Sequence, residues 1–262
     1  MNSAAVTAPQ VSLRCYDATE ASDVHDFHQI VLGLDGAMAM AVEGVGQLLD
    51  SRSAWLIPAG ARHEYAGLGS NRQLVLDLPA ASLAIPQRLF ERARVIPVNA
   101  PLGALVRDIA MLSAGLPPAR PLQQPQRFNW NAAARLSAAI ISDGSSIQST
   151  AALHAGLDFA RIDRWLRAHL SEPLRIADLA SHCGFGLRRF HQLFIEAFGE
   201  TPHRYLQRLR LDTAIILLNE PSRPLTDIAL SVGFSDQSAF THAFSRRFGL
   251  APGQWRTGPG TD

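Results

Sequence analysis

The chain has 262 residues, 24 basic against 23 acidic side chains, and a formal net charge of +1. That length exceeds what one small core needs and fits two modest domains. The balanced charge excludes a chain that binds nucleic acid by bulk electrostatics, so any such role has to rest on the arrangement of residues.

Every basic residue is arginine and there is no lysine, which reads as a compositional bias. Cys15 and Cys183 lie far apart and make no redox or metal pair with each other. No apolar run approaches the roughly 18 residues of a membrane span, and the first residues lack the basic start and apolar core of a signal peptide. The expectation is a soluble chain in the reducing cytoplasm, with no membrane partner.

Residues 28 to 78 hold short β-like runs at 28–34, 37–42, 46–50, 54–57 and 73–78, punctuated by Gly33, Gly36, Gly44, Gly60, Gly67 and Gly69. Many short strands with glycine turns predict a small barrel or jelly roll, whose interior can hold a small ligand. The segment Pro58-Ala59-Gly60-Ala61-Arg62-His63 resembles the second motif of the cupin barrel, where Pro and Gly shape the turn and His enters the cavity. His25 and His28 stand where the first cupin motif would offer ligands. Their spacing is H-x-x-H and not H-x-H, however, and Gln29 stands in place of an expected carboxylate.

Three histidines can form a facial metal site with open positions, which makes His25, His28 and His63 the candidate ligands. The incomplete motif favours a sensor without metal or other cofactor, in which Trp55, Arg62, His63 and Tyr65 line the entry to a pocket for an organic effector.

Pro97 to Leu116 and Phe128 to Ser142 read as amphipathic helices. Leu102, Leu105, Ile109 and Leu112 give one apolar stripe, and Ala133, Leu136, Ile140 and Ile141 the other. Prolines between Gly115 and Pro125 make an extended connection, and the polar run from Ser142 to Thr150 is the best interdomain linker. The expected division is a sensor and dimerisation domain at 1–145, a linker at 146–156 and a third segment at 157–262.

That last segment contains an internal duplication. Asp178-Leu179-Ala180 aligns with Asp227-Ile228-Ala229, and Cys183-Gly184-Phe185 with Val232-Gly233-Phe234; beyond the turn the offset grows by one residue, so that Phe190, Phe194 and Phe198 match Phe240, Phe244 and Phe248. Each copy reads as helix, tight turn, helix. The glycine supplies φ > 0, Ser235 can cap the helix after the second turn, and the phenylalanines spaced by four form a buried stripe.

The opposite faces carry Arg188, Arg189, His191 and Gln192 in the first copy and Gln237, Ser238, Thr241 and His242 in the second. Arg can fork onto guanine, Gln onto adenine, and hydroxyls onto either base edges or phosphate. From Pro202 to about Asn219 a helix joins the copies; at 1.5 Å per residue it is roughly 25 Å long, which with the flanking units suits grooves about 34 Å apart.

Residues from about Leu157 to Arg256 resemble the DNA-binding domain of the AraC/XylS family of transcription regulators. The carriers are the I-A-x-x-x-G-F element, the S-x-F-x-x-x-F-x-x-x-F-G element and the closing P-x-x-W-R between Thr226 and Arg256. The resemblance implies an α+β chain of two domains: an N-terminal cupin-like β-barrel with flanking helices, and a C-terminal all-α domain of two helix-turn-helix units joined by a long helix. It implies base contacts from Arg188, His191, Gln192, Gln237, Ser238, Thr241 and His242, and phosphate contacts from Arg189, Arg246 and Arg247.

The implied partners are an asymmetric double-stranded DNA site, a small-molecule effector, RNA polymerase for an activator, and a second copy of the chain paired through the helices at 97–142. Two other readings, a cupin enzyme and an architectural DNA binder, lack respectively an ordered metal triad or acid/base pair and a strong basic surplus.

Overall fold

The computed structural model describes residues 7–115, 123–142 and 157–257. The linker expected at 146–156 lies outside the described residues, as does most of the proline-rich connection between Gly115 and Pro125. The rest forms two compact units. Unit 1 holds the residues up to Ile140 except Leu83–Pro86, and unit 2 holds Leu83–Pro86 with those from Ile141 onward.

Unit 1 is built on β1 (Gln10–Arg14), β2 (Ala21–Asp23), β3 (His28–Val42), β4 (Val45–Leu49), β5 (Ser53–Ile57), β6 (His63–Leu78) and β7 (Arg94–Pro97). The runs at 28–34 and 37–42 turn out to be one strand, paired antiparallel with β6 from His28↔Leu78 to Val42↔His63. Its register shifts between Gly33, Asp35 and Ala37, the kind of irregularity that bends a strand. Gly36 sits at that bend with φ 64, and a Cβ there would lie 2.1 Å from the Ser70 carbonyl oxygen. At the end of β3, Glu43 and Gly44 have φ 50 and 80 and turn the chain into β4, as a two-residue hairpin requires.

Val31, Trp55, Ile57 and Val75 share one core cluster with Met38, Met40, Val42 and Leu49. Ile30, Leu32, Leu74 and Leu76, which point to the opposite side of the same strands, are also buried. Burial on both faces explains the unbroken apolar runs in β3 and β6, and each such side chain contributes roughly 1.5–3 kcal/mol.

The expected closed cupin-like barrel does not form. The strand order is β1-β6-β3-β5-β7, with β2 beside β6 and β4 beside β3. Among the described residues β1 pairs only with β6 and β7 only with β5, so the sheet is open. Closure would need the outermost strands to pair with a fixed stagger. Instead, α1 (Ala100–Ala114) packs on β1 and β3, and Asn129 Oδ1 on α2 (Gln123–Ser142) accepts the Val11 amide at 3.2 Å.

Helix α2 buries Ala133, Leu136, Ile140 and Ile141 as its periodicity predicts. Helix α1 buries Leu102, Val106 and Ile109, but Leu112 is exposed, so the predicted stripe is rotated at its end.

Unit 2 contains α3 (Phe159–Ala168), α4 (Ile176–His182), α5 (Leu187–Phe198), α6 (Pro202–Leu217), α7 (Leu225–Ser231), α8 (Gln237–Phe248) and α9 (Pro252–Thr257). Asp158 caps α3 and Thr201 caps α6, each side chain accepting a first-turn amide. Among the described residues no helix is long and apolar enough to cross a membrane.

Candidate nucleic-acid interface

The two helix-turn-helix copies, α4–α5 and α7–α8, close their turns with the same backbone bonds. Gly184 N donates to Ser181 O and Phe185 N to Ala180 O, both at 3.0 Å; Gly233 N donates to Leu230 O at 3.0 Å and Phe234 N to Ala229 O at 2.9 Å. Gly184 and Gly233 take φ 79 and 83, which side chains with a Cβ rarely adopt. The turn is residues 183–186 in the first copy and 232–236 in the second, which is the one-residue insertion read from the offsets.

Phe190, Phe194, Phe198, Phe240 and Phe244 are buried, and Phe248 is half-buried. Rings stack from Phe194 to Phe198 at 3.9 Å, and Phe244 meets Trp255 edge-on at 5.6 Å. These stripes fix which face of each helix is left outward. Arg188, Arg189, His191 and Gln192 on α5 are exposed, as are Gln237, Ser238 and His242 on α8, while Thr241 is half-buried.

Within α5 a ladder runs along the surface: Arg189 Nη1 donates to Gln192 Oε1 at 3.2 Å, and Gln192 Nε2 to Glu196 Oε1 at 3.1 Å. On α8, Thr226 Oγ1 donates to Gln237 Oε1 at 2.7 Å and steadies that amide at the start of the helix. The helix is capped by Asp236, whose Oδ1 accepts the Ala239 amide at 2.8 Å, and not by the expected Ser235, whose hydroxyl donates to Asp236 Oδ2. Those amide and hydroxyl donors hold the exposed Asp236 carboxyl below its ordinary range.

Arg246 is exposed, but Arg247 points inward. The Arg247 guanidinium donates to Asp212 Oδ1 and, at 2.8 Å, to the Arg208 carbonyl on α6. Its side chain is 17% exposed, so in this structure it is engaged in a structural pair that the sequence did not reveal. Burial pushes the Asp212 carboxyl up, while Arg247 beside it pulls it back down. Asp212 Oδ2 also accepts the Ala84 amide at 2.7 Å, and Arg208 pairs with Glu200 at 2.8 Å. This buried charge cluster escaped the sequence reading. Its only signal was a carboxylate inside an otherwise apolar helix pattern.

In unit 1, His25 and His63 come together with ring centres 5.0 Å apart, and His63 lies 6.0 Å from Tyr65. His28 turns elsewhere: its Nδ1 accepts the Ala59 amide at 3.0 Å and its ring stacks on Phe90. No group of three His, Cys, Asp or Glu able to hold a metal occurs among the described residues. Burial lowers the His28 and His63 pKa values.

Trp55 is buried in the core cluster, while Arg62 is exposed beside Glu64 at 3.3 Å. Buried side-chain atoms without a hydrogen-bond partner in this unit include Trp55 Nε1, His25 Nε2 and both amide atoms of Gln73. Sequence reasoning passed over Gln73, although it is a polar residue at the head of an apolar run.

Residues 179–258 match the helix-turn-helix domain family. Across almost its whole length the chain is similar to the "Probable transcriptional regulator LumQ" of Photobacterium leiognathi, with 26% identity over 96% of this chain and 98% of that one. It is similar to the transcriptional activator NphR of a Rhodococcus species, with 26% identity over 90% of this chain and 71% of the relative. The transcriptional activator RhaS of Escherichia fergusonii is 38% identical over 36% of this chain and 34% of its own length, within the C-terminal region.

Proposed function

We propose that this chain, whose residues 179–258 match the helix-turn-helix domain family, is a transcriptional regulator of the AraC/XylS type in which α5 and α8 enter successive major grooves of one asymmetric DNA site. The observation that carries the reading is the repeated turn. The same glycine geometry and the same phenylalanine stripe leave an outward face of arginine, histidine and glutamine on α5 and one of glutamine, hydroxyl and histidine side chains on α8. Arg188, His191 and Gln192 read one half of the site, and Gln237, Ser238, Thr241 and His242 the other, while Arg189 and Arg246 hold phosphates.

Arg188→Ala and Gln237→Ala should each weaken specific binding by roughly 1–3 kcal/mol and relax base preference at opposite ends of the site. Base-by-base affinity profiles of the two variants test this, and loss of the same preference in both would overturn the docking.

The chain is a regulator and not an enzyme. Its activity is set, in this proposal, by a small organic effector held in unit 1, without metal, against the inner face of the open sheet near Trp55, His63 and Tyr65, with Arg62 at the rim. Support comes from the unpartnered buried donors and acceptors of Trp55, His25 and Gln73, because buried polar groups in folded chains almost always have partners. An effector shifts regulation only by binding the two DNA-binding states with different affinity. The activator names of NphR and RhaS favour activation, which in this proposal takes place in the cytoplasm with RNA polymerase as the partner.

A further inference from the structure

Strand β4 has one partner and one open edge. Among the described residues it pairs only with β3, in register from Val42↔Val45 to Met38↔Leu49. The two-residue turn makes Val42 and Val45 a hydrogen-bonded pair. Val45, Gln47 and Leu49 therefore aim their backbone groups at β3, and Gly46 and Leu48 aim theirs at the open edge. Such a row is a template for another strand, and chains usually blunt it with charge, proline or a bulge. The sequence Val45-Gly46-Gln47-Leu48-Leu49 carries none of these.

Gly46 has no reason to be glycine within one copy. Its φ is not in the left-handed region, and an added Cβ would meet only the Ala41 Cβ at 4.0 Å. A glycine inside a strand weakens it, and often marks a place where another backbone approaches closely. Beside Gly46 lies a cavity of about 580 Å³ floored by Ala39, Ala41 and Ala66. Leu48, 56% exposed, lines it, while Val45, 61% exposed, lies on the other face of the strand.

We propose that two copies of the chain join through β4, antiparallel about a two-fold axis at Gln47, into one continuous sheet. In this register Gly46 of each copy faces Leu48 of the other as a hydrogen-bonded pair, and each such pair exchanges two backbone bonds. Each Leu48 then fills the space left by the other copy's bare Gly46, above Ala41. Gln47 meets its own counterpart, and the new pairing spans Gly46 to Leu48, because Leu49 is fully buried in the core of its own copy. The strand is uncharged, so nothing along it repels. The turn bearing Glu43 arrives at the end of the second copy's β4 that leads to Arg52, which is exposed and already paired with Asp50 of its own copy at 2.8 Å.

The test uses the full-length chain, with its mass in solution measured over a concentration series. The unaltered chain should be a dimer. Gly46→Val adds a side chain for which one copy has room and a pair does not; Leu48→Lys puts a charge on the edge. Each should raise the dimer dissociation constant about tenfold or more while leaving the circular dichroism of the monomer unchanged.

In a Cys15→Ser, Cys183→Ser background, Gln47→Cys should form a disulfide-linked dimer on mild oxidation. The facing non-hydrogen-bonded Cα atoms would lie about 4.5 Å apart, within disulfide range. A monomeric unaltered chain overturns the proposal. So does a dimer that survives both substitutions and does not cross-link, such as one held by the exposed Met111 and Leu112 of α1.

Discussion

Arg246 and Arg247 are neighbours in sequence with opposite fates. A helix turns about 100° per residue, so when Phe244 and Phe248 set the inward face of α8, Arg246 is left outside and Arg247 lies at the edge of the core. There Arg247 meets Asp212, and removing one partner of such a buried pair leaves an uncompensated charge. Arg247→Gln should therefore destabilise unit 2 by about 3 kcal/mol, read as a lowered denaturant midpoint. Arg246→Gln should leave that midpoint alone and instead reduce the salt dependence of DNA binding by about one unit of slope, equally for all sequences. The opposite distribution of effects would show that the inward placement of Arg247 is wrong.

At the scale of the element, the two turns look alike in backbone but differ in surroundings. A Cβ on Gly184 would meet nothing within 4 Å, whereas one on Gly233 would lie 2.1 Å from the Leu170 carbonyl oxygen and 2.6 Å from Arg210 Nη2. Both positions charge an alanine the cost of a positive φ, roughly 1 kcal/mol, but only the second adds a backbone collision. Gly184→Ala should lower stability by about 1 kcal/mol and Gly233→Ala by more than twice that. Urea unfolding of the two variants decides it, and equal losses would mean that the contact around Gly233 gives way freely. Arg210 is tied to this turn, since its Nη2 also donates to the Leu170 and Glu172 carbonyls at 3.4 Å.

For the molecule as a whole, the histidines of unit 1 couple its folding to pH. Burial lowers the pKa of His28 and of His63, and the neighbouring His25 lowers both further. Both rings therefore stay neutral in the fold at a pH where the unfolded chain already takes up protons. With the folded values below the unfolded value of about 6.5, the unfolded state binds more protons, and stability falls as pH drops through and below 6.5. Protonation would also remove the lone pair with which His28 accepts the Ala59 amide. The urea midpoint of unit 1 should fall between pH 8 and pH 5.5, and the double change His28→Gln, His63→Gln should flatten that fall. A midpoint that holds steady, or a slope unchanged in the double variant, would assign the pH dependence elsewhere.

The tandem helix-turn-helix unit was legible from the sequence because its determinants are local. A glycine at positive φ, phenylalanines at i and i+4, and a matching second copy all act within a few helical turns. The outward set on α5 and α8 followed from the same periodicity. The openness of the sheet was not legible: glycine-punctuated strands are as compatible with a closed barrel as with an open sheet. The outcome depends on whether β1 and β7 find each other, which no local period encodes.

The same holds for single residues. Asp236 and not Ser235 caps α8 because capping depends on which side chain reaches the Ala239 amide. Arg247 pairs with Asp212, a residue 35 positions away that no local pattern points to. Sequence alone determined what periodicity and φ preference can carry over neighbouring residues. The tertiary structure decided which distant groups meet, because pairing across the core is set by the packing of whole elements, where a burial cost of several kcal/mol per unpaired charge outweighs any local preference.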